Sequence, residues 1–264
     1  MTSRLETTFR RLQAGGRGGL VAYVTAGDPD AARSARVLDG VAHGGADVIE
    51  VGVPFSDPLA DGPVIQRASE RALAAGMTLR GSLELIREFR QSHETPVVLF
   101  TYANPVVRMD PQAFATEARA AGVDGVLILD YPVEEAEPLR APLVSAGLDP
   151  IFLISPTTTD ARIRRSGELG CGFLYVISRL GVTGTRDSLA NEVEILLARV
   201  RKQADLPVAV GFGISRPEHV AQACRHADAA VVGSALVQEI ATHADAGDLP
   251  ARVAAYVEWL KSEL

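Results

Sequence analysis

The chain has 264 residues, 47% of them hydrophobic and 22% charged, with a formal net charge of −7. That length and balance suit an α/β protein with a sizeable core, and the acidic excess leaves no basic stripe to neutralise nucleic-acid phosphates. Cys171 and Cys224 are the only cysteines and lack metal-ligand spacing, which argues against a disulfide framework or a zinc site and for a reducing, cytoplasmic setting.

The N-terminal stretch MTSRLETTFRRLQ predicts an amphipathic helix with Leu5, Phe9 and Leu12 on one face. It has no apolar leader core, and the later run LVAYV is too short to span a bilayer, so the chain is expected to be soluble and unprocessed. One pattern then recurs, in HGGADVIEVG, AAGVDGVLILD, SAGLDPIFLIS and LGCGFLYVIS. A helix-like stretch ends in glycine, which accepts the left-handed conformation that terminates a helix, and a short apolar run follows. Such runs predict strands at 20–25, 47–52, 97–101, 125–130, 151–155, 173–178, 208–212 and 229–234. Glu50 and a few end residues apart, they are apolar, as strands buried on both faces are. Helical patterns such as PVIQRASERALAAG, PQAFATEARAAG and SRPEHVAQACRHA separate them. Strands and helices in that number and length predict a (β/α)8 TIM barrel with an extra N-terminal helix, a doubly wound open sheet being the alternative. No linker or composition shift divides residues 1–264, so a single domain is expected.

Barrels of this kind carry their active sites at the C-terminal ends of the strands. The lysines, Lys202 and Lys261, and the histidines, His43, His93, His219, His226 and His243, all fall elsewhere. A Schiff base or a histidine-held metal therefore has no suitable residues. Carboxylates remain: Glu50, Asp57, Asp61 and Asp130, with Asp28 after the first strand. Glu50 shares side-chain parity with Val48 and Gly52; it is either a proton-transfer group raised in pKa by its apolar neighbours or a glutamate hydrogen-bonded within the barrel. Asp61, in the PLADGP turn, is equally read as a turn former or helix N-cap. Asp57, before Pro58, reads more simply as a loop former.

Glycine turns follow the last three strands, in GVTGT, GFGIS and VGSA, and SALVQEIA opens a helix with Ser234 at its start. Three such turns on one side of a barrel point to a phosphate cradle built from backbone N–H groups and a helix N-terminus.

The motifs TAGDPD, EVGVPFSDPLADGPVIQRAS, TYANPV, DYPVEE, PTTTD, SRLGVTGTR, GFGIS and VGSALV, in this order, resemble the tryptophan synthase alpha chain family over about residues 4–260. The resemblance implies a retro-aldol cleavage of indole-3-glycerol phosphate to indole and glyceraldehyde 3-phosphate, with no cofactor in this chain. It implies Glu50 as general acid–base and Asp61 as the carboxylate that holds the indole N–H. Tyr175 would border the reacting carbons, and Tyr23, Phe212, Tyr102 and Leu129 would line the indole pocket. Gly184, Gly213, Gly233 and Ser234 would bind phosphate. Thr183, in a GVTGTR lid, would meet Asp61 on closure. The loop carrying Pro54, Phe55, Ser56, Asp57 and Pro58 would face a pyridoxal-phosphate beta chain in an alpha-beta-beta-alpha heterotetramer. Tyr23, Phe100 and Tyr131 depart modestly from the family's pattern and remove no catalytic group. Rival expectations are a free-standing lyase that needs no beta chain, a catalytically idle regulatory barrel, and a phosphosugar isomerase sharing the phosphate cradle.

Overall fold

In the computed structural model the sheet closes on itself. The structure describes residues 3–177, 186–211 and 213–264, and of residues 186–192 the backbone alone. The strands are β1 (Gly19–Thr25), β2 (Val48–Gly52), β3 (Val97–Thr101), β4 (Gly125–Ile128), β5 (Asp149–Ile154), β6 (Leu174–Ile177), β7 (Val208–Gly211) and β8 (Ala229–Val232). They form a closed parallel barrel in sequence order. Pairing of Leu20 with Ala230 joins β1 to β8, which excludes the open-sheet alternative. β4 stops two residues short of the expected end because Asp130 leaves the ladder, its carboxylate accepting the Ala103 N–H at 2.7 Å.

Alternate strand residues face opposite ways, so each strand serves two cores. Leu20, Ala22, Val24, Ile49 and Val51 pack outward against the helical layer. Val21, Val48, Val98, Leu127, Ile151, Phe173 and Ala209 fill the barrel interior. The N-terminal helix Arg4–Ala14 belongs to this inner core: Leu5, Phe9 and Leu12 close the barrel floor, with the Phe9 and Phe173 rings 5.4 Å apart. Glycines admit it. A Cβ on Gly19 would lie 2.6 Å from Leu12, and one on Gly125 would lie 2.9 Å from Leu5. The helix carries its own start signal, since Ser3 accepts the Glu6 N–H and donates to Asp149 at 2.7 Å.

Three aspartates stitch this floor. Asp47, Asp124 and Asp228 directly precede β2, β4 and β8 and accept the N–H of Leu20, Val97 and Val208, at 3.0, 2.9 and 2.7 Å. Each also holds a cation: Lys261 on Asp47, Arg90 on Asp124 and Arg201 on Asp228. The β5–β6 pair breaks the repeat. There Gly172 occupies the aspartate's place in left-handed backbone (φ 71°), and a Cβ would meet Leu5 of the plug helix at 3.2 Å. Removing the largest plug side chain, Phe9→Ala, is expected to cost about 3–5 kcal/mol of stability. Urea unfolding checks this, and turnover per folded molecule should be unchanged because the floor lies at the far end of the barrel from the loops.

Candidate active site

Glu50 stands in the middle of β2, between Tyr23 of β1 and Val98 of β3, and is 1% exposed. Its parity with Val48 and Gly52 turns it into the barrel. Oε1 is buried and, among the described residues, has no hydrogen-bond partner. The described residues thus do not satisfy Oε1 within the barrel. Burial, and secondarily the negative charge of Asp61, pushes the Glu50 carboxyl up to about 8. An orphaned buried carboxyl is costly in a stable fold and is what a group awaiting a substrate looks like.

Asp61 does not cap a helix. The helix Pro63–Ala74 starts from Gly62 with no side-chain cap bond. The Asp61 carboxylate instead accepts the Tyr102 hydroxyl at 3.0 Å, and that hydroxyl accepts the Ala60 N–H at 3.1 Å. Gln66 holds the Asp61 carbonyl at 2.9 Å. Burial raises the Asp61 pKa and the Tyr102 bond opposes the rise. Tyr102, an expected pocket residue, is the residue that holds Asp61. It is fixed in turn by Phe55, stacked on it at 4.8 Å and 25°. No local sequence signal links these residues, which lie 41 or more positions apart.

The other carboxylates are accounted for. Asp28 is buried in a two-pronged pair with Arg71, at 2.8 and 2.9 Å. Asp130 caps the Ala103 N–H, and exposed Asp57 accepts from Ser56 at 2.7 Å. Of the five, only Glu50 and Asp61 are withdrawn from solvent without a cation among the described residues.

Two tyrosines wall the interior above this pair, each lying over a glycine on the next strand. A Cβ on Gly52 would fall 2.1 Å from the Tyr23 hydroxyl, and one on Gly211 would fall 2.6 Å from the Tyr175 hydroxyl. Tyr23 meets Phe100 edge-to-face at 5.4 Å and packs on Ala68 and Val237. Half-buried Leu129 lies at the end of β4, bordering a cavity of about 330 Å3 with Leu153, Tyr131, Ser155 and Arg162. On the opposite side Gly213 is exposed with φ 72°. Gly233 precedes the helix Ser234–Thr242, whose N-terminus carries no side-chain cap. Its first N–H groups are thus open to an anion. Gly233 lies beside Tyr23, whose Cβ is 3.6 Å from where a Gly233 Cβ would be, so this helix N-terminus adjoins the Tyr23 ring. Thr183, Gly184 and Phe212 lie outside the described residues, as does most of the GVTGTR segment.

In the loop after β2, Pro54 is buried, Phe55 and Pro58 are half-buried, and Ser56 and Asp57 are exposed. The next residue, Leu59, is 92% exposed, and Val107 is 57% exposed. Neither was anticipated, although PLA within a polar loop was a readable sign.

The sequence pattern of the family described as tryptophan synthase alpha chain matches residues 9–262. The chain belongs to the tryptophan synthase alpha chain family. The alpha chain of Burkholderia thailandensis is 52% identical over 237 residues, covering 89% of this chain and 88% of that one. The alpha chain of Burkholderia pseudomallei (strain K96243) is 48% identical over 263 residues, covering 99% and 95%. Among solved structures, tryptophan synthase subunit alpha from Legionella pneumophila superposes with a TM-score of 0.92 at 36% identity, covering 100% of this chain and 98% of that one. Tryptophan synthase from M. tuberculosis in its aminoacrylate-bound form gives 0.89 at 34% identity, covering 99% of each. As a tryptophan synthase alpha chain, the protein is a lyase that cleaves indole-3-glycerol phosphate to indole and glyceraldehyde 3-phosphate in tryptophan biosynthesis. The family uses no cofactor of its own.

Proposed function

We propose that Glu50 and Asp61 carry out this cleavage as a divided acid–base pair, within a chain that acts as one (β/α)8 domain. Asp61, ionised, accepts the indole N–H and stabilises the positive charge that spreads over the ring as C3 becomes tetrahedral. Glu50, neutral at rest, gives its proton to C3. The resulting Glu50 carboxylate then takes the proton of the glycerol hydroxyl next to the C–C bond. That bond breaks, its electron pair restores the aromatic indole, and the hydroxyl carbon becomes the aldehyde of glyceraldehyde 3-phosphate. Glu50 ends protonated, ready for the next turnover. Two carboxyls in different surroundings can divide such work, because environment sets which one holds a proton.

The observation that carries this reading is the buried Glu50 Oε1 without a partner, set near a second carboxylate that has no cation among the described residues. Tyr175 borders the reacting carbons, while Tyr23, Tyr102, Leu129 and Phe212 hold the indole ring. Gly213, Gly233 and Ser234, with Gly184, take the phosphate, and Thr183 meets Asp61 when the GVTGTR segment closes.

The partner is a beta chain carrying pyridoxal phosphate, assembled as an alpha-beta-beta-alpha heterotetramer in the cytoplasm. The loop from Pro54 to Pro58 faces it, and the next residue, Leu59, adds an exposed apolar side chain to that loop. Through Phe55 and Tyr102 the same loop reaches Asp61, so docking can bias the site. Indole release measured with and without purified beta chain tests the partnership: a rise of tenfold or more, roughly 1.4 kcal/mol of barrier, is expected. Turnover unchanged at saturating beta chain would instead establish a free-standing lyase.

A further inference from the structure

The Tyr23 ring lines the pocket, but its hydroxyl has a place of its own. Tyr23 is the register partner of Glu50 on the adjacent strand, and both side chains turn into the barrel. The hydroxyl fills the inward position that glycine leaves empty at residue 52, one layer above Glu50. The residue is 5% exposed, and its hydroxyl accepts a bond from Thr25 at 3.5 Å, the outer limit for such a contact. Its own proton has no acceptor among the described residues. Glu50 Oε1, on the register partner one layer below, is an acceptor without a donor among the described residues and is not bonded to the Tyr23 hydroxyl in this structure. A buried hydroxyl held only by a long bond from Thr25 and a buried acceptor without a donor thus stand on neighbouring strands of one wall.

We propose that Tyr23 is a positioning residue for Glu50: its phenolic O–H donates to the Glu50 carboxylate once that group has released its proton. The inference rests on Glu50 being the acid–base group. A bond to the ionised form favours that form, so Tyr23 eases proton donation to C3 and holds the carboxylate while it awaits the glycerol proton. The other groups facing Glu50 act differently. Asp61, from the loop after β2, repels the Glu50 charge. Tyr175, from β6, feels the Glu50 charge too, and its hydroxyl is the rival donor that the Tyr175→Phe arm of the test separates. Tyr102 is committed to Asp61. Val98, on the β3 side, is apolar.

The test is the infrared carbonyl band of protonated Glu50, assigned by its loss in Glu50→Gln and titrated with pH in wild type, Tyr23→Phe and Tyr175→Phe. Tyr23→Phe keeps the ring and its packing on Phe100. Its Glu50 midpoint should rise by about one pH unit, with the alkaline limb of kcat moving in step. Turnover should fall roughly tenfold while KM for indole-3-glycerol phosphate changes by less than about twofold. An unmoved midpoint in Tyr23→Phe, or a midpoint that moves in Tyr175→Phe alone, would overturn the proposal. The band needs no activity, so failure of the acid–base reading, seen as turnover retained by Glu50→Gln, is distinguishable from failure of the Tyr23 assignment.

Discussion

Glu50→Gln is expected to lower indole release by about a thousandfold or more while leaving indole-3-glycerol phosphate bound. The amide keeps the shape of the carboxyl but neither gives nor takes a proton, and positioned acid–base groups contribute about 10²–10⁴ in rate. Steady-state turnover together with binding by calorimetry checks both halves. A variant retaining above about a tenth of wild-type turnover, worth only about 1.4 kcal/mol, would remove Glu50 as the essential group. The pH profile carries the same signature. Protonation of C3 needs the neutral acid, and with the carboxyl raised to about 8 it stays protonated through neutral pH. Activity should therefore fall as pH climbs past about 8, and Glu50→Gln should lose that limb.

Asp61→Asn should lose about 10²–10³-fold in kcat, the usual scale for removing one preorganised electrostatic partner of a transition state. Asparagine can still accept from Tyr102, so the loop should keep its form; what disappears is the negative charge opposite the developing ring cation. Because burial raises the Asp61 pKa, activity should also fall on the acid side, where Asp61 takes up a proton. Near-normal rates in Asp61→Asn would take the residue out of the mechanism.

These two residues differ in how far the sequence exposes them. Glu50 is legible as an oddity, because a carboxyl at an inward position of a short apolar strand needs either a chemical role or a partner within the barrel, and the strand alone does not choose between them. Only its lack of a partner needs coordinates. Asp61 is ambiguous, since a DGP turn explains an aspartate by local chemistry alone. Its bond to Tyr102 spans 41 residues, and the pair of Asp28 with Arg71 spans 43. Pattern reading within a window does not reach such distances. The strands were legible to within one or two residues, because glycine terminators and apolar runs act locally. The plug helix was visible as an amphipathic stripe, yet its seat became visible only with Gly19, Gly125 and Gly172 clustered around Leu5 and Leu12. The aspartate stitches had a sequence trace, an aspartate just ahead of a strand in GGAD, GVD and HAD, whose meaning depends on the neighbouring strand's free N–H.

The burial of the Glu50 carboxyl also bears on folding. In the unfolded chain a glutamate ionises near 4.5, whereas in the barrel it does so near 8. The folded state thus holds a proton that the unfolded state releases. This burden is nearly absent below pH 4.5, grows through neutral pH to about 3 kcal/mol at pH 7, and levels off above pH 8. Glutamine has no such proton, and its own buried amide adds a cost that does not vary with pH. The difference in unfolding free energy between Glu50→Gln and wild type should accordingly swing toward the variant from pH 5 to pH 8. The barrel sets this burden against a floor of aspartate stitches and a helical plug, at the end farthest from the reaction.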